Sequence, residues 1–264
     1  MVRLVPCGDS SYRTASATVP LAARLFPSLT MYSRFLAIVY RASVKAKRDQ
    51  YTSEEWCQSS LGITRALEHV GVSIEITGIE NVERMQTPCV VIANHMSILE
   101  TAVLPVIIQP LRDVTFVIKQ SLLEYPAWKH IMRSFDPVAV TRTDPRGDLK
   151  VVLEGGAERL GRGVSIIVFP QTTRTHAFEP GQFSSIGVKL ARKAGVPVVP
   201  LALVTDAWGN GTLLKDFGSI DATKPVRFSF GEPIRIEGRG KEEHQAVMQY
   251  ISNKLAAWRA VDAR

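Results

Sequence analysis

The chain has 264 residues, 45% of them hydrophobic and 22% charged, with a formal net charge of +7. That composition excludes a disordered chain and suits one large α/β domain with a short leader. Three scattered cysteines, Cys7, Cys57 and Cys89, without CxxC or paired Cys/His spacing, argue against a disulfide framework or a structural zinc site and for a reducing compartment.

Most of the charge sits at one end. Residues 1–50 carry eight Lys/Arg against Asp9 and Asp49, which is +6 of the total +7. Residues 1 to about 20 read as polar and irregular. From Met31 to Arg48, Arg34, Arg41, Lys45 and Arg48 fall on one helical face and Phe35, Ile38, Val39 and Ala42 on another. An apolar face beside a basic one is the pattern of a helix lying in a membrane interface. The uncharged run Leu25 to Ser33 contains Pro27 and falls well short of the ~20 apolar residues a span needs. The leader is also a poor signal peptide, because arginines break up its apolar stretch and no convincing small-residue cleavage site follows. The expected organisation is therefore a basic, membrane-associating leader over residues 1–50 and one larger α/β domain over residues 51–264. The protein is expected at the cytoplasmic face of a membrane, with anionic lipid as a partner. A helix packed on the domain, with its basic residues in water, is the alternative. Nucleic acid is not expected, because no base-stacking aromatics accompany the charge.

Thr52 followed by Glu55 predicts a capped helix to about His69, stopped near Gly71. Strands and helices then alternate. Ser73–Ile79 and Cys89–Ala93 read as strands, with a helix from Ile98. Val114–Lys119 is a strand, Leu122–Arg133 mostly helical, Pro137–Arg142 a strand, and Pro145 opens a helix to about Leu160. Val164–Phe169 is a strand and Ile186–Ala194 a helix. Val196–Val204, with two prolines, is expected to be irregular or near an edge. Val226–Gly231 is a last strand and Glu242–Trp258 a last helix. The pattern predicts an α/β fold: a largely parallel, mixed sheet flanked by helices, with an N-terminal interfacial helix. Ligands then bind beyond the carboxyl ends of the strands.

Two loops at such strand ends carry chemistry. Asn94-His95-Met96-Ser97-Ile98-Leu99-Glu100 follows an apolar strand. With Ser97 as N-cap, Glu100 can reach back as a plain capping box, or hold one imidazole nitrogen of His95 and leave the other as a general base. Phe169-Pro170-Gln171-Thr172-Thr173-Arg174-Thr175 offers backbone N–H groups, hydroxyls and a cation, which suits an anion or an ordinary polar loop. Lys119 and Arg142 close two further strands and suggest a phosphate-bearing substrate; either alone would pass for a surface charge.

In order and spacing, over roughly residues 72–235, these segments resemble the glycerolipid acyltransferases of the 1-acylglycerol-3-phosphate acyltransferase type. The family's N-H-x4-D motif is matched by Asn94, His95 and Glu100. Its strand ending in arginine is matched by Val138 to Arg142, its F-P-E-G-T-R-S by Phe169 to Thr175, and its V-P-[IV]-[IV]-P by Val196 to Pro200. The resemblance implies the glycerol-3-phosphate acyltransferase-like fold and an acyl transfer from a thioester, on coenzyme A or acyl carrier protein, to the free hydroxyl of a lysophospholipid. Lysophosphatidic acid, giving phosphatidic acid, is the first expectation. It implies His95 as general base oriented by Glu100. Lys119, Arg142, Gln171, Thr172, Thr173 and Arg174 would bind substrate, with backbone N–H groups near the third or fourth motif at the oxyanion. No metal or bound cofactor is expected.

Three residues depart from the pattern. Glu100 stands for Asp and keeps the charge one methylene further out. Gln171 stands for Glu, keeping hydrogen bonding and losing a charge. Thr172 stands for Gly; if φ is positive there, a β-branched residue costs ~1–2 kcal/mol. The departures leave two alternatives, a catalytically impaired lipid-binding relative and a different acceptor such as an ornithine lipid. A serine hydrolase elbow, a Walker A loop and a GxGxxG fingerprint are absent.

Overall fold

Continuous apolar runs, buried on both faces, build the centre of one sheet. The structure, a computed structural model, describes residues 1–264 other than Cys7, Ala127, Thr172, Leu213, Leu214 and Arg264. The strands are β1 (Ser11–Arg13), β2 (Ile74–Thr77), β3 (Val90–Ala93), β4 (Val114–Lys119), β5 (Val138–Val140), β6 (Ser165–Val168), β7 (Val198–Val204) and β8 (Val226–Phe230). They lie in the order β1-β2-β8-β7-β3-β6-β4-β5. β7, β3, β6, β4 and β5 run parallel; β8 meets β7 antiparallel, β2 follows β8 in parallel, and β1 pairs antiparallel with β2. The expected largely parallel, mixed sheet is present. Its five parallel strands end together at one edge, where their following loops can converge.

The helices are α1 (Leu21–Leu25), α2 (Pro27–Ala46), α3 (Ser53–His69), α4 (Glu80–Glu83), α5 (Leu99–Ile108), α6 (Lys129–Arg133), α7 (Pro145–Gly161), α8 (Ile186–Ala194) and α9 (Lys241–Asp262). Along β3, Val91 and Ala93 join the core with α2, α3 and α5, while Val90 and Ile92 join the core with α7, α8 and α9. Gly187 lets α8 come down on β3: a Cβ there would lie 2.8 Å from Ile92 Cδ1. Pro105 sits inside α5 and cannot donate to the helix ladder. α3 compensates next to it, where Ser60 Oγ accepts from Val106 N–H at 3.0 Å and donates to the Ala102 carbonyl at 2.7 Å. The helix that carries Glu100 is thereby fastened to its neighbour.

Several elements differ from the sequence reading. Residues 1–20 are not wholly irregular. β1 pairs with β2, Thr14 N–H donates to Ile74 O at 2.9 Å, and Leu4 and Val5 are buried. Residues 122–133 are not one helix. A 3-10 turn over Gln120–Leu123 and the short α6 flank Pro126. β7 is regular and interior, between β8 and β3. Its prolines are tolerated because Pro197 precedes the strand. Pro200 lies just outside the first rung with β8, Leu201 opposite Phe230, and uses its carbonyl, which accepts from Gly231 N–H at 2.8 Å.

The leader also faces differently. Phe35, Val39 and Ala42 of α2 are buried in the α2–α3–α5 core, so the apolar face the sequence suggested for lipid packs on protein. Two of the basic residues are turned to α3: Arg34 Nη2 lies 3.0 Å from His69 Nε2, and Lys45 pairs with Glu55 at 2.5 Å. A second apolar set, Leu21, Leu25, Phe26, Leu29, Leu36 and Tyr40, is exposed instead. Among the described residues no helix is long and apolar enough to cross a membrane.

Candidate active site

β3 stops at Ala93, and Asn94 closes it with its side chain. Asn94 Nδ2 donates to Leu203 O at 2.9 Å and Asn94 Oδ1 accepts from Leu203 N–H at 3.0 Å. The side chain thus takes the place of a peptide group in the ladder to β7. The main chain is freed to turn, and His95 emerges at the carboxyl edge of the sheet.

Glu100, one residue into α5 and fully buried, holds that turn. Its Oε1 accepts from His95 Nδ1 at 2.8 Å, Met96 N–H at 2.7 Å and Ser97 N–H at 3.0 Å. Its Oε2 accepts from Thr205 Oγ1 at 2.6 Å, and Ser97 Oγ lies 3.1 Å away. The expected capping box with Ser97 as N-cap is not formed: the N-cap position is Ile98, and Ser97 Oγ accepts from Leu99 N–H at 3.1 Å. The reach-back to Ser97 N–H and the histidine contact are still made by the same carboxylate. Burial by itself pushes the Glu100 carboxyl up. The His95 hydrogen bond and charge, with the Thr205 hydroxyl, outweigh it and hold the group below the usual carboxylate range. A carboxylate can only accept, so Nδ1 carries a proton, and the neutral form of the ring is the tautomer whose lone pair is on Nε2. Phe169, just past β6, stacks on the ring at 4.4 Å between centroids and 18° between planes.

His95 lines a cavity of about 800 Å³. Phe35 and Val39 of α2, Trp56 and Ile63 of α3, and Ile131 of α6 give it apolar walls. The charged lining comes from strand ends and loops: Lys119 at the end of β4, Arg142 after β5, Arg174 after β6, and Lys215 and Asp216 after β7. Arg142 adopts φ 64°, a left-handed backbone on a residue with a side chain. Asp148, in the first turn of α7, receives Thr141 N–H at 2.7 Å and Arg142 N–H at 2.6 Å, which holds the bend. Partial loss of water around the guanidinium and the neighbouring Arg174 charge push Arg142 below its ordinary value, against the pull of Asp148. Arg174 Nη1 pairs with Asp216 Oδ1 at 2.5 Å.

Of the residues the sequence singled out, His95, Lys119, Arg142, Thr173 and Arg174 line this cavity and Glu100 lies directly behind His95. Gln171 is buried beneath the loop and is not part of the lining. Thr172, where a β-branched residue replaces glycine, lies outside the described residues. Sequence reasoning missed Thr205, Asp148 and Asp216, and named Phe169 in its loop without its stacking on His95. It missed Asn210 as well, whose Nδ2 donates to Met96 O at 2.9 Å in the cavity wall. Thr205 had one signal: a polar residue directly after an apolar parallel strand.

The fold, with a carboxylate-held histidine over a mixed apolar and cationic cavity, defines a class, and the comparisons agree. A family model described as Acyltransferase matches residues 73–204. The chain belongs to that family, and is an acyltransferase. It is 29% identical over 214 residues to the 1-acyl-sn-glycerol-3-phosphate acyltransferase of Pseudomonas aeruginosa, covering 79% of this chain and 78% of that one. It is 31% identical over 173 residues to a chloroplastic 1-acyl-sn-glycerol-3-phosphate acyltransferase of Arabidopsis thaliana, covering 64% of this chain and 48% of that one. In fold it matches the crystal structure of the 1-acyl-sn-glycerophosphate acyltransferase of Thermotoga maritima. The TM-score is 0.65 at 20% identity, over 90% of this chain and 96% of the other.

Proposed function

We propose that the chain moves a fatty acyl group from a thioester, on coenzyme A or acyl carrier protein, to the free hydroxyl of a lysophospholipid, with lysophosphatidic acid as first acceptor. The observation that carries this is the His95–Glu100 pair on the wall of a cavity with both apolar and cationic lining. His95 Nε2 takes the hydroxyl proton as the oxygen attacks the thioester carbonyl. The tetrahedral intermediate expels the thiolate, which receives that proton from His95 and leaves as the thiol. Glu100 steadies the imidazolium formed in between. Lys119, Arg142 and Arg174 attract the acceptor's phosphate, and the walls from α2, α3 and α6 take acyl chain. No resident cofactor is part of this reading.

The enzyme works at the cytoplasmic face of a membrane with the exposed apolar set of α1 and α2 in the lipid interface. Lys47, Arg48, Lys129 and Arg133, where α2 meets α6, supply positive charge for anionic headgroups. Residues 1–50 are thus a membrane-associating leader that also closes the core of the catalytic domain.

Purified protein with acyl-CoA and lysophosphatidic acid tests the reaction. His95→Ala should lose about 10²–10⁴-fold in kcat. Turnover that survives the substitution removes the mechanism. Vesicle binding without turnover on any lysolipid, ornithine lipids included, and with either donor type, would make the chain a lipid-binding relative.

A further inference from the structure

We infer that Gln171 is a positioning residue for His95 and not a contact for substrate. The inference rests on reading His95 as the general base. Gln171 Oε1 accepts from the His95 backbone N–H at 2.6 Å. Its Nε2 donates to Thr175 Oγ1 at 3.3 Å, and the Thr175 hydroxyl donates onward to the Ala177 carbonyl. Thr175 N–H closes the circuit by donating to His95 O at 3.0 Å. Both backbone groups of His95 are therefore held by the loop after β6, one through a side chain and one through main chain.

Three observations set this role apart from substrate binding. Gln171 is buried and does not line the cavity, whereas Thr173 and Arg174 of the same loop do. His95 has left the sheet, since β3 ends at Ala93, so its N–H has no strand partner. Without Gln171 that buried donor would go unpaired, which is unfavourable. Finally, the amide uses both of its ends. A glutamate at this position could accept from His95 N–H, but it could not donate to Thr175 Oγ1, whose own hydrogen is committed to Ala177 O. Gln171 and Thr175 are matched as a donor–acceptor relay. Glu100 fixes Nδ1, Phe169 fixes the ring plane, and Gln171 fixes the backbone from which the ring projects. A base must be held to within a fraction of an ångström to act.

The test compares Gln171→Met, close in size and without either hydrogen bond, with Gln171→Glu, which keeps the acceptor. Two readouts are needed: kcat and acceptor KM with an acyl-CoA donor, and hydrogen exchange at the His95 backbone amide. In Gln171→Met, kcat should fall about tenfold or more while KM stays within about twofold, and the His95 amide should exchange much faster. Gln171→Glu should restore amide protection and most of kcat. A raised KM with unchanged kcat would make Gln171 a substrate contact. Unchanged amide protection in Gln171→Met would overturn the clamp. If the wild type turns over no lysolipid, the proposed function fails, and the exchange measurement still decides the role of Gln171.

Discussion

The hydroxyl of Thr205 lies 2.6 Å from Glu100 Oε2 across 105 positions of sequence, and Glu100 passes that restraint to His95 Nδ1. Thr205 follows β7, the neighbour of β3, so the sheet itself brings the two together. Thr205→Val keeps the shape and deletes a donor to a buried carboxylate. The loss should be ~1.5–3 kcal/mol of stability, as for hydrogen bonds to charged groups. It should also lower kcat about tenfold, the scale on which groups that orient a reacting residue act. Thermal unfolding and steady-state kinetics check both; stability lost at full kcat would separate the hydroxyl from the chemistry.

Glu100 also predicts an acid limit. Its folded value is depressed, because the His95 and Thr205 hydrogen bonds outweigh burial. A depressed carboxyl contributes stability above its unfolded value of about 4.3, and loses it as pH falls through the lower folded value. The stability gap between wild type and Glu100→Gln should be full near neutrality and close progressively below about pH 4.3. Urea unfolding at a series of pH values measures this; a gap independent of pH would show that Glu100 is not an ionised partner.

What was legible in the sequence is what is local. Val90 to Ala93 and Ser165 to Val168 read as strands because buried parallel strands are continuously apolar. His95 and Glu100 are five residues apart, within one turn-to-helix junction, so their contact follows from helix geometry. Asp216 reaches Arg174 across 42 positions, and no spacing rule anticipates that. β1 escaped because three polar-looking residues give no hydrophobic period; their pairing comes from the free edge of β2. β7 was misjudged because proline was weighed by its presence, when its position relative to the ladder decides. On α2 an apolar stripe told that the helix lies on something apolar. It did not tell whether that was protein or lipid, and Phe35, Val39 and Ala42 chose protein.

Arg142 carries strain that glycine would not. At φ 64° a residue with a Cβ costs ~1–2 kcal/mol, and Arg174 adds like-charge repulsion. Relief of the strained backbone offsets the entropy that glycine adds to the unfolded chain, so Arg142→Gly should stay within about 1 kcal/mol of wild-type stability, while acceptor KM rises about tenfold or more as a phosphate ligand is lost. Chemical denaturation and kinetics with a phosphate-bearing acceptor decide it. A destabilised protein with unchanged KM would mean that the bend serves the fold and not the acceptor.

The leader needs point substitutions, because removing residues 1–48 would open the core that Met31, Phe35 and Val39 complete. Leu25, Phe26 and Leu29 are each more than half exposed and are not among the core residues. Replacing all three by serine removes apolar area available to lipid and should leave stability within ~0.5 kcal/mol of wild type. Partitioning onto anionic vesicles should fall at least about tenfold, since each such side chain gives up part of its ~1.5–3 kcal/mol transfer energy. Activity on a short-chain, water-soluble acceptor should persist while activity on vesicle-borne lysolipid drops, because the cavity is intact and only delivery is impaired. Flotation and kinetics with both acceptor forms check the two halves. Full partitioning by the triple variant would move the lipid-facing surface elsewhere, and loss of activity on the soluble acceptor would make the patch part of the fold.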